Sequence, residues 1–326
     1  MGSAGGIAAF LRGKLGYPDS ESLRQLDALA GQKIARASFV PDLDAAAALL
    51  EPWMPLSFLP LAQADQLWGL HLRPADVQQH RLALLSGPAP GEFVEVAMSP
   101  AQAAYLALLR EEGHLNRGKE RPALPGSIAA ANKVFGADFF RTGRHGSFHS
   151  GDEVLAMTQA FGGTPASLYA EASLADDAAA ALPLWQRGVA LNTGSLELHA
   201  GAARALLALG RREKAAQQAA LSLECYHHTA HHVDLGEWLE EARPLQDEFP
   251  KLFSEDVTWQ LHEPDPRKWA RRPAELLKQG EAARAEKLLN DVCHAIGDYD
   301  TALPAFRQIY TALGWDWALA LCDLRA

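Results

Sequence analysis

A pattern of small and apolar residues returns after 34 positions, and this constrains the fold more than any other feature of the chain. Ala181-Leu182-Pro183-Leu184-Trp185-Gln186-Arg187-Gly188-Val189 is matched by Ala215-Ala216-Gln217-Gln218-Ala219-Ala220-Leu221-Ser222-Leu223. That period is the length of one helix-turn-helix unit, which cannot bury its apolar face alone and must stack on a neighbour. A stack of such units offers an extended concave surface for a partner. The turns are marked too. Gly210 precedes Ala215 by five residues, and Gly280–Ala285 and Gly297–Ala302 keep the same spacing. Each pair predicts an inter-helix turn followed by a small residue that lets neighbouring helices approach. Leu289 and Phe306 stand four positions after the last two alanines, whereas Ala219 takes the place that Trp185 holds one repeat earlier.

The first third of the chain has a different texture. Asp19 is placed to cap a helix carrying Leu23, Leu26, Leu29 and Ala30, with Gly31 as its stop. A second helix fits Asp42 to Leu50, ahead of Pro52. Four short runs then read as strands: Leu56–Leu61, Leu67–Leu72, Arg81–Leu85 and Phe93–Met98. Ser86 to Gly91 supplies turn chemistry between the last two. Three or four strands so closely linked predict an antiparallel sheet. Ser99-Pro100-Ala101-Gln102 opens a further helix, with Gly113 as its stop, and residues 113–126 read as a linker. Beyond it the pattern is helical almost throughout. Ser150-Gly151-Asp152-Glu153 and Thr164-Pro165 begin helices on either side of Gly162-Gly163.

Residues 174–313, with Leu206, Gly210, Ala215 and Leu223 as the best matches, resemble tetratricopeptide repeats. The resemblance implies a groove whose wall in the unit from Ser195 includes Glu197, Ala200, Arg204 and Leu207. His199 and Ala202 depart from the family's large apolar positions, and Pro273 falls in a first helix. The period is lost around 230–265, where Pro244, Pro250, Pro264 and Pro266 predict a broken segment and an irregular array. In the first domain, the carriers are Phe58-Leu59-Pro60-Leu61-Ala62, Asp65, Trp68-Gly69-Leu70 and Val96-Ala97-Met98-Ser99. They are similar to the SUKH superfamily, which has an LP-(apolar)-A strand, an acidic glycine-containing strand and an A-x-S entry to its last helix. The chain lacks the family's Gly-Gly step after Asp65. Many members are immunity proteins that neutralise bacterial toxins. The resemblance thus implies a protein partner, with Asp65 and Trp68 as contacts on this domain.

Composition narrows the function. A net charge of −10 opposes nucleic-acid binding, which needs a basic face. Cys225, Cys293 and Cys322 form no C-x-x-C pair and read as reduced thiols of a cytoplasmic protein. Met1 to Gly6 lacks a basic region before an apolar core, and no apolar run approaches a membrane span.

Two stretches carry possible chemistry. In Cys225-Tyr226-His227-His228-Thr229-Ala230-His231-His232-Val233-Asp234, the pairs His228/His232 and His227/His231 are spaced i, i+4. On a helix either pair shares a face, and with Asp234 it offers a zinc site; the Glu of an H-E-x-x-H helix is missing. A helix end with capping imidazoles is the plainer reading. Arg141 to Ser150 mixes cations, hydroxyls and glycines ahead of a helix start, an arrangement suited to an anion or simply to a capped loop. Glu111-Glu112 and Glu240-Glu241 read as solvated pairs.

The sequence therefore predicts an α+β domain with a small antiparallel sheet over 1–112, a linker over 113–126 and an all-α, irregular tetratricopeptide-like array over 127–326. Its expected function is non-catalytic protein binding, concretely that of an immunity protein on its cognate toxin, with no cofactor, no metal, no nucleic acid and no membrane. The nominated contacts are Glu197, Arg204, Leu207, Asp65 and Trp68. The rival is an enzyme using the His227–Asp234 cluster, with His228, His232 and Asp234 as ligands, or an anion site at Arg141–His149.

Overall fold

The computed structural model describes residues 6–16, 19–52, 54–63, 66–72, 81–86, 92–116, 124–140, 152–230, 232–263 and 265–326. Two helices lead, α1 (Ile7–Leu15) and α2 (Glu21–Leu29). Ser20, rather than Asp19, caps α2 by accepting from Leu23 N at 3.3 Å. The sheet has six strands in the order β1-β2-β3-β4-β5-β6, every neighbouring pair antiparallel. They are β1 (Lys33–Ile34), β2 (Ala37–Phe39), β3 (Phe58–Gln63), β4 (Leu67–His71), β5 (Arg81–Ser86) and β6 (Glu92–Ala97). The four strands expected from the sequence are the last four. The two short ones ahead of them are too brief to show an apolar alternation.

Between β2 and β3 lies α3 (Leu43–Ala47), capped by Asp42. After β6, Ser99 and Gln102 start α4 (Pro100–Asn116) as expected, with Gln102 Oε1 accepting from Met98 N. Gly113 does not end this helix, which runs on to Asn116. One glycine costs a helix only about 1 kcal/mol, which tertiary packing readily offsets. Glu111 and Glu112 are not solvated either: both are buried, and Arg36 Nε reaches Glu111 at 3.4 Å.

The first apolar core also crosses the expected boundary. It includes Leu124 and Ala131 of α5 (Leu124–Phe135), Ala156 and Met157 of α6 (Asp152–Phe161), and Leu321 near the far end of the chain. The interval 113–126 thus separates no cores. Packing changes character only after α6.

The array follows: α7 (Pro165–Ser173), α8 (Ala178–Leu191), α9 (Leu196–Ala208), α10 (Arg212–Glu224), α11 (Leu235–Glu248), α12 (Glu255–His262), α13 (Arg272–Lys278), α14 (Ala282–Ile296), α15 (Leu303–Leu313) and α16 (Asp316–Arg325). Gly210 and Gly280 adopt φ of 71° and 81°, and Ala215 and Ala285 are fully buried, as the repeat demands. In the third pair Gly297 also turns the chain, with φ of 76°, but its alanine departs from the rule. Ala302 belongs to a single 3₁₀ turn ahead of α15 and is only half-buried. Helices α8 and α9 touch closely at Gly201, where an added Cβ meets the Trp185 ring at 2.7 Å, and at Gly188, where it meets Leu198 at 2.8 Å. Trp238, fully buried, joins α11 to α10 by donating its indole N–H to Ser222 Oγ at 2.8 Å. The prolines break the segment as expected at Pro250 and Pro266, each of which opens a 3₁₀ turn, and Pro264 lies outside the described residues. Pro244 lies within a continuous α11, and Pro273 occupies the first turn of α13, where no backbone N–H bond is lost. Among the described residues, no helix is long and apolar enough to cross a membrane.

Candidate binding cleft

The residues after α10 form a single 3₁₀ turn, His227–Thr229, and not another α-helix. The i, i+4 spacing of His228 and His232 consequently does not put that pair on one helical face, so the rival zinc arrangement lacks the helix it needs. His227 and His228 point into the interior, each 3% exposed, while His232 is exposed. Asp234 caps α11 through Glu237 N. Among the described residues, no group of three His, Cys, Asp or Glu side chains is placed to hold a metal ion. His231 and the Arg141–His149 stretch lie outside the described residues, as does Asp65.

What the turn does instead is join the end of α10 to β4 and α14. His228 Nε2 meets His71 Nε2 of β4 at 3.2 Å, inside the protein. His227 N donates to Asp291 Oδ1 of α14 at 2.8 Å, and Lys287 Nζ bonds Asp291 Oδ2 at 2.7 Å. Burial pushes the His227 imidazole down to about 4, against the pull of Asp291 3.6 Å away, so the ring is neutral at physiological pH. Alongside, Tyr226 Oη donates to Glu286 Oε2 at 2.7 Å, and Asn290 Nδ2 donates to Oε1 at 2.7 Å. Burial outweighs these bonds and pushes the Glu286 carboxyl up to about 7. Its pKa places it as a residue half-charged near neutrality, an uncommon state that marks candidate functional positions.

Glu286 and Tyr226 also line an open cleft of 520 Å³ between α10, α12 and α14. Leu221, Leu288 and Trp315 supply much of its apolar wall. Leu221 is 47% exposed, high for a leucine in an otherwise packed array. A volume of this size suits a small molecule or one or two side chains of a partner. Cys225 Sγ is turned to the Leu221 carbonyl at 3.3 Å, and the Cys293 thiol, outside the cleft, is pushed up to about 12 by burial.

The contacts nominated from the repeat register fare unevenly. Glu197 is 9% exposed and accepts from His232 N at 3.2 Å, which makes it a brace for the turn. Arg204 is on the surface, but its guanidinium is engaged: it forms a two-pronged pair with Glu241 at 2.7 and 2.9 Å and lies 5.3 Å from the centre of the Trp238 ring. Leu207 is half-buried against the second core. Trp68, on β4, is 5% exposed and belongs to the first core, so it is no surface contact. A strand residue alternating with Leu70 and Leu72 was a core candidate on its pattern alone.

Sequence reasoning missed Glu286, Tyr226 and Gln260. A signal existed for the first: Glu286 shares the apolar stripe of α14 with Ala282, Ala285, Leu289 and Cys293, at spacings of three and four. No family model, curated protein or solved structure matches this chain.

Proposed function

We propose that this chain is a non-catalytic binding protein, and that its helical array receives a protein partner at the cleft between α10, α12 and α14. The concrete version is an immunity protein that covers and neutralises a bacterial toxin inside the cytoplasm. The observation carrying the reading is the cleft itself, which exposed Leu221 and half-buried Trp315 line beside polar groups already bonded to one another. Such a wall can seat an anchor side chain, the kind of contact that dominates interface energies. The packing of successive helices, α7 on α8, α8 on α9 and α9 on α10, supports the tetratricopeptide-like reading. The order of β3, β4 and the Ser99 entry to α4 supports the SUKH-like one. Three cysteines, all free, accord with a reducing compartment.

An acidic chain of net charge −10 favours a basic partner and repels phosphate backbones. The test is capture of the products of flanking genes by the whole protein, followed by association rates at low and high salt. Association is expected to slow with salt, because screening sets in over roughly 8 Å at physiological ionic strength. Leu221→Arg is expected to weaken the captured partner at least about tenfold, or about 1.4 kcal/mol. An unchanged affinity places the partner away from the cleft.

A further inference from the structure

The sheet and the helical array meet around a second, far smaller space. A largely enclosed chamber of about 10 Å³ lies between Ser57 and Leu72 at the sheet, Tyr226 of the turn, Glu286 of α14, Tyr310 of α15 and Leu321 of α16. That is room for about one water molecule. The polar groups around it are unevenly served. Ser57 Oγ is buried and meets no hydrogen-bond partner among the described residues. Glu286 accepts from Tyr226 Oη and Asn290 Nδ2, while Tyr310 Oη stands 3.5 Å from Oε1, at the limit of a direct bond. A buried hydroxyl left alone costs free energy, and a water recovers it where several polar groups converge.

The groups facing Glu286 leave its charge uncompensated. Tyr226, Tyr299 and Tyr310 approach from the turn, from the segment ahead of α15 and from α15, and burial raises all three phenols well above their ordinary range. Behind Tyr226 lies the His228 ring, stacked at 5.4 Å, with His71 beyond it. Asp291 on the same helix adds a like charge. On the cleft side, Lys287 and Arg284 are bonded to Asp291 and Asp256. Buried so, the carboxyl titrates at about 7, and both of its forms are populated near neutrality. The two forms ask different things of the chamber. A neutral carboxyl carries a proton that needs an acceptor, and a water there can take it and pass a hydrogen on to Ser57 Oγ. A carboxylate claims that water as a donor instead, and a lone buried ion gains by admitting more water.

We infer that the chamber binds one water molecule, and that Glu286, this water and Ser57 form a proton-dependent tie between array and sheet, tight while the carboxyl is neutral and loosened when it is charged. Leu72 N donates to the Ser57 carbonyl at 2.7 Å, so the tie is anchored in the sheet. Tyr226 and Glu286 also line the larger cleft, whose wall therefore moves with the seam. The inference goes beyond the docking reading and holds whatever the cleft receives.

The test uses the full chain. High-resolution crystals grown near pH 6 are expected to show one water within hydrogen-bond reach of Ser57 Oγ and Glu286; a chamber without it overturns the inference. Loosening is read from hydrogen exchange of the Tyr299 amide, which crosses the seam to the Pro52 carbonyl. Its protection is compared between wild type and Glu286→Gln at each pH, which cancels intrinsic exchange and every titrating group the two share. With the carboxyl at 4.5 when opened and about 7 when enclosed, the ratio of wild-type to variant protection is expected to fall about tenfold from pH 6 to pH 8. A ratio that stays constant overturns the inference. An equal fall at the amides of α9 overturns it too, because the proton then acts on the whole fold and not on the seam. Ser57→Ala keeps the carboxyl and removes the sheet end of the tie. It is expected to lower Tyr299 protection at pH 6 about tenfold, and wild-type protection in this variant overturns the role of Ser57.

Discussion

Glu286→Gln is expected to reverse its effect on stability between acid and neutral pH. Burial raises the Glu286 carboxyl from 4.5 to about 7, so the folded chain holds this proton more tightly than the unfolded chain. Its contribution to stability is complete below about pH 4.5, fades as pH rises, and is gone above about pH 7. At about 1.4 kcal/mol for each tenfold change in proton affinity, the displacement is worth about 3 kcal/mol. His227 acts in the opposite sense. Its imidazole is lowered from 6.5 to about 4, so its contribution is complete above about pH 6.5 and is lost as pH falls through 4. Between about pH 4.5 and 6.5 the slopes of these two groups oppose each other, and His294, also lowered by burial, adds to the His227 side.

The substitution removes one slope and exposes the other. Glutamine also forfeits one acceptor, leaving the Tyr226 hydroxyl or the Asn290 amide short of a bond, at a cost of about 1 kcal/mol at every pH. The variant should thus be less stable than wild type by about 1 kcal/mol at pH 4.5 and more stable by about 2 kcal/mol at pH 8. Urea unfolding of both proteins at four pH values between 4.5 and 8 measures this, and the difference cancels every group common to the two. A difference that does not move with pH refutes the assignment of a raised carboxyl to this site.

Two further outcomes test the array. Gly201→Ala puts a methyl 2.7 Å from the Trp185 ring, so overpacking of about 1–3 kcal/mol should outweigh the helix-propensity gain of about 1 kcal/mol; in α1, Gly13→Ala meets nothing within 4 Å and should gain about 0.5–1 kcal/mol. A stability gain at both positions in urea unfolding is incompatible with the close α8–α9 approach. Ala215→Trp, at a fully buried contact between α9 and α10, should cost about 1–3 kcal/mol or more and lower the melting temperature seen by circular dichroism; an unchanged curve means the repeat register is wrong.

How far the sequence spoke depended on whether a feature was written in local pattern. Gly210 with Ala215, Gly280 with Ala285, and Ser99 with Gln102 are local devices, and each forms where expected. The alternation through Trp68, Leu70 and Leu72 located β4 but concealed that its other face is covered too, since His71 is fully buried. That cover comes from residues 157 positions away, at His228. Long-range contact of this kind leaves no trace in spacing. The same holds for Glu286 and Asp291, which look like ordinary helix-surface charges until α14 is enclosed by the turn at 227–229 and by α15. Histidines spaced i, i+4 gave a false lead because the spacing has meaning only if the segment is helical, and α10 ends at Glu224, before the first of them.

A stacked helical array left open at both ends flexes readily, because each unit touches only its neighbours. Here the final helix is pinned to the first domain. Arg325, its side chain 2% exposed, donates to the carbonyls of Met54 and Pro55 at 2.7 and 3.1 Å, and Tyr299 N donates to the Pro52 carbonyl at 2.6 Å. Leu56 enters the core of α13 to α16, and Leu321 enters the core of the sheet. A buried guanidinium stripped of those carbonyls is strongly destabilising, so neither half is expected to keep this packing without the other. The consequence reaches the cleft. One wall stands on α14, and α14 is held through Asp291 to the turn that His71 of the sheet meets through His228. The sheet therefore fixes the spacing of α10 and α14 before any partner arrives, and a cleft set in advance spends less of its binding energy on ordering.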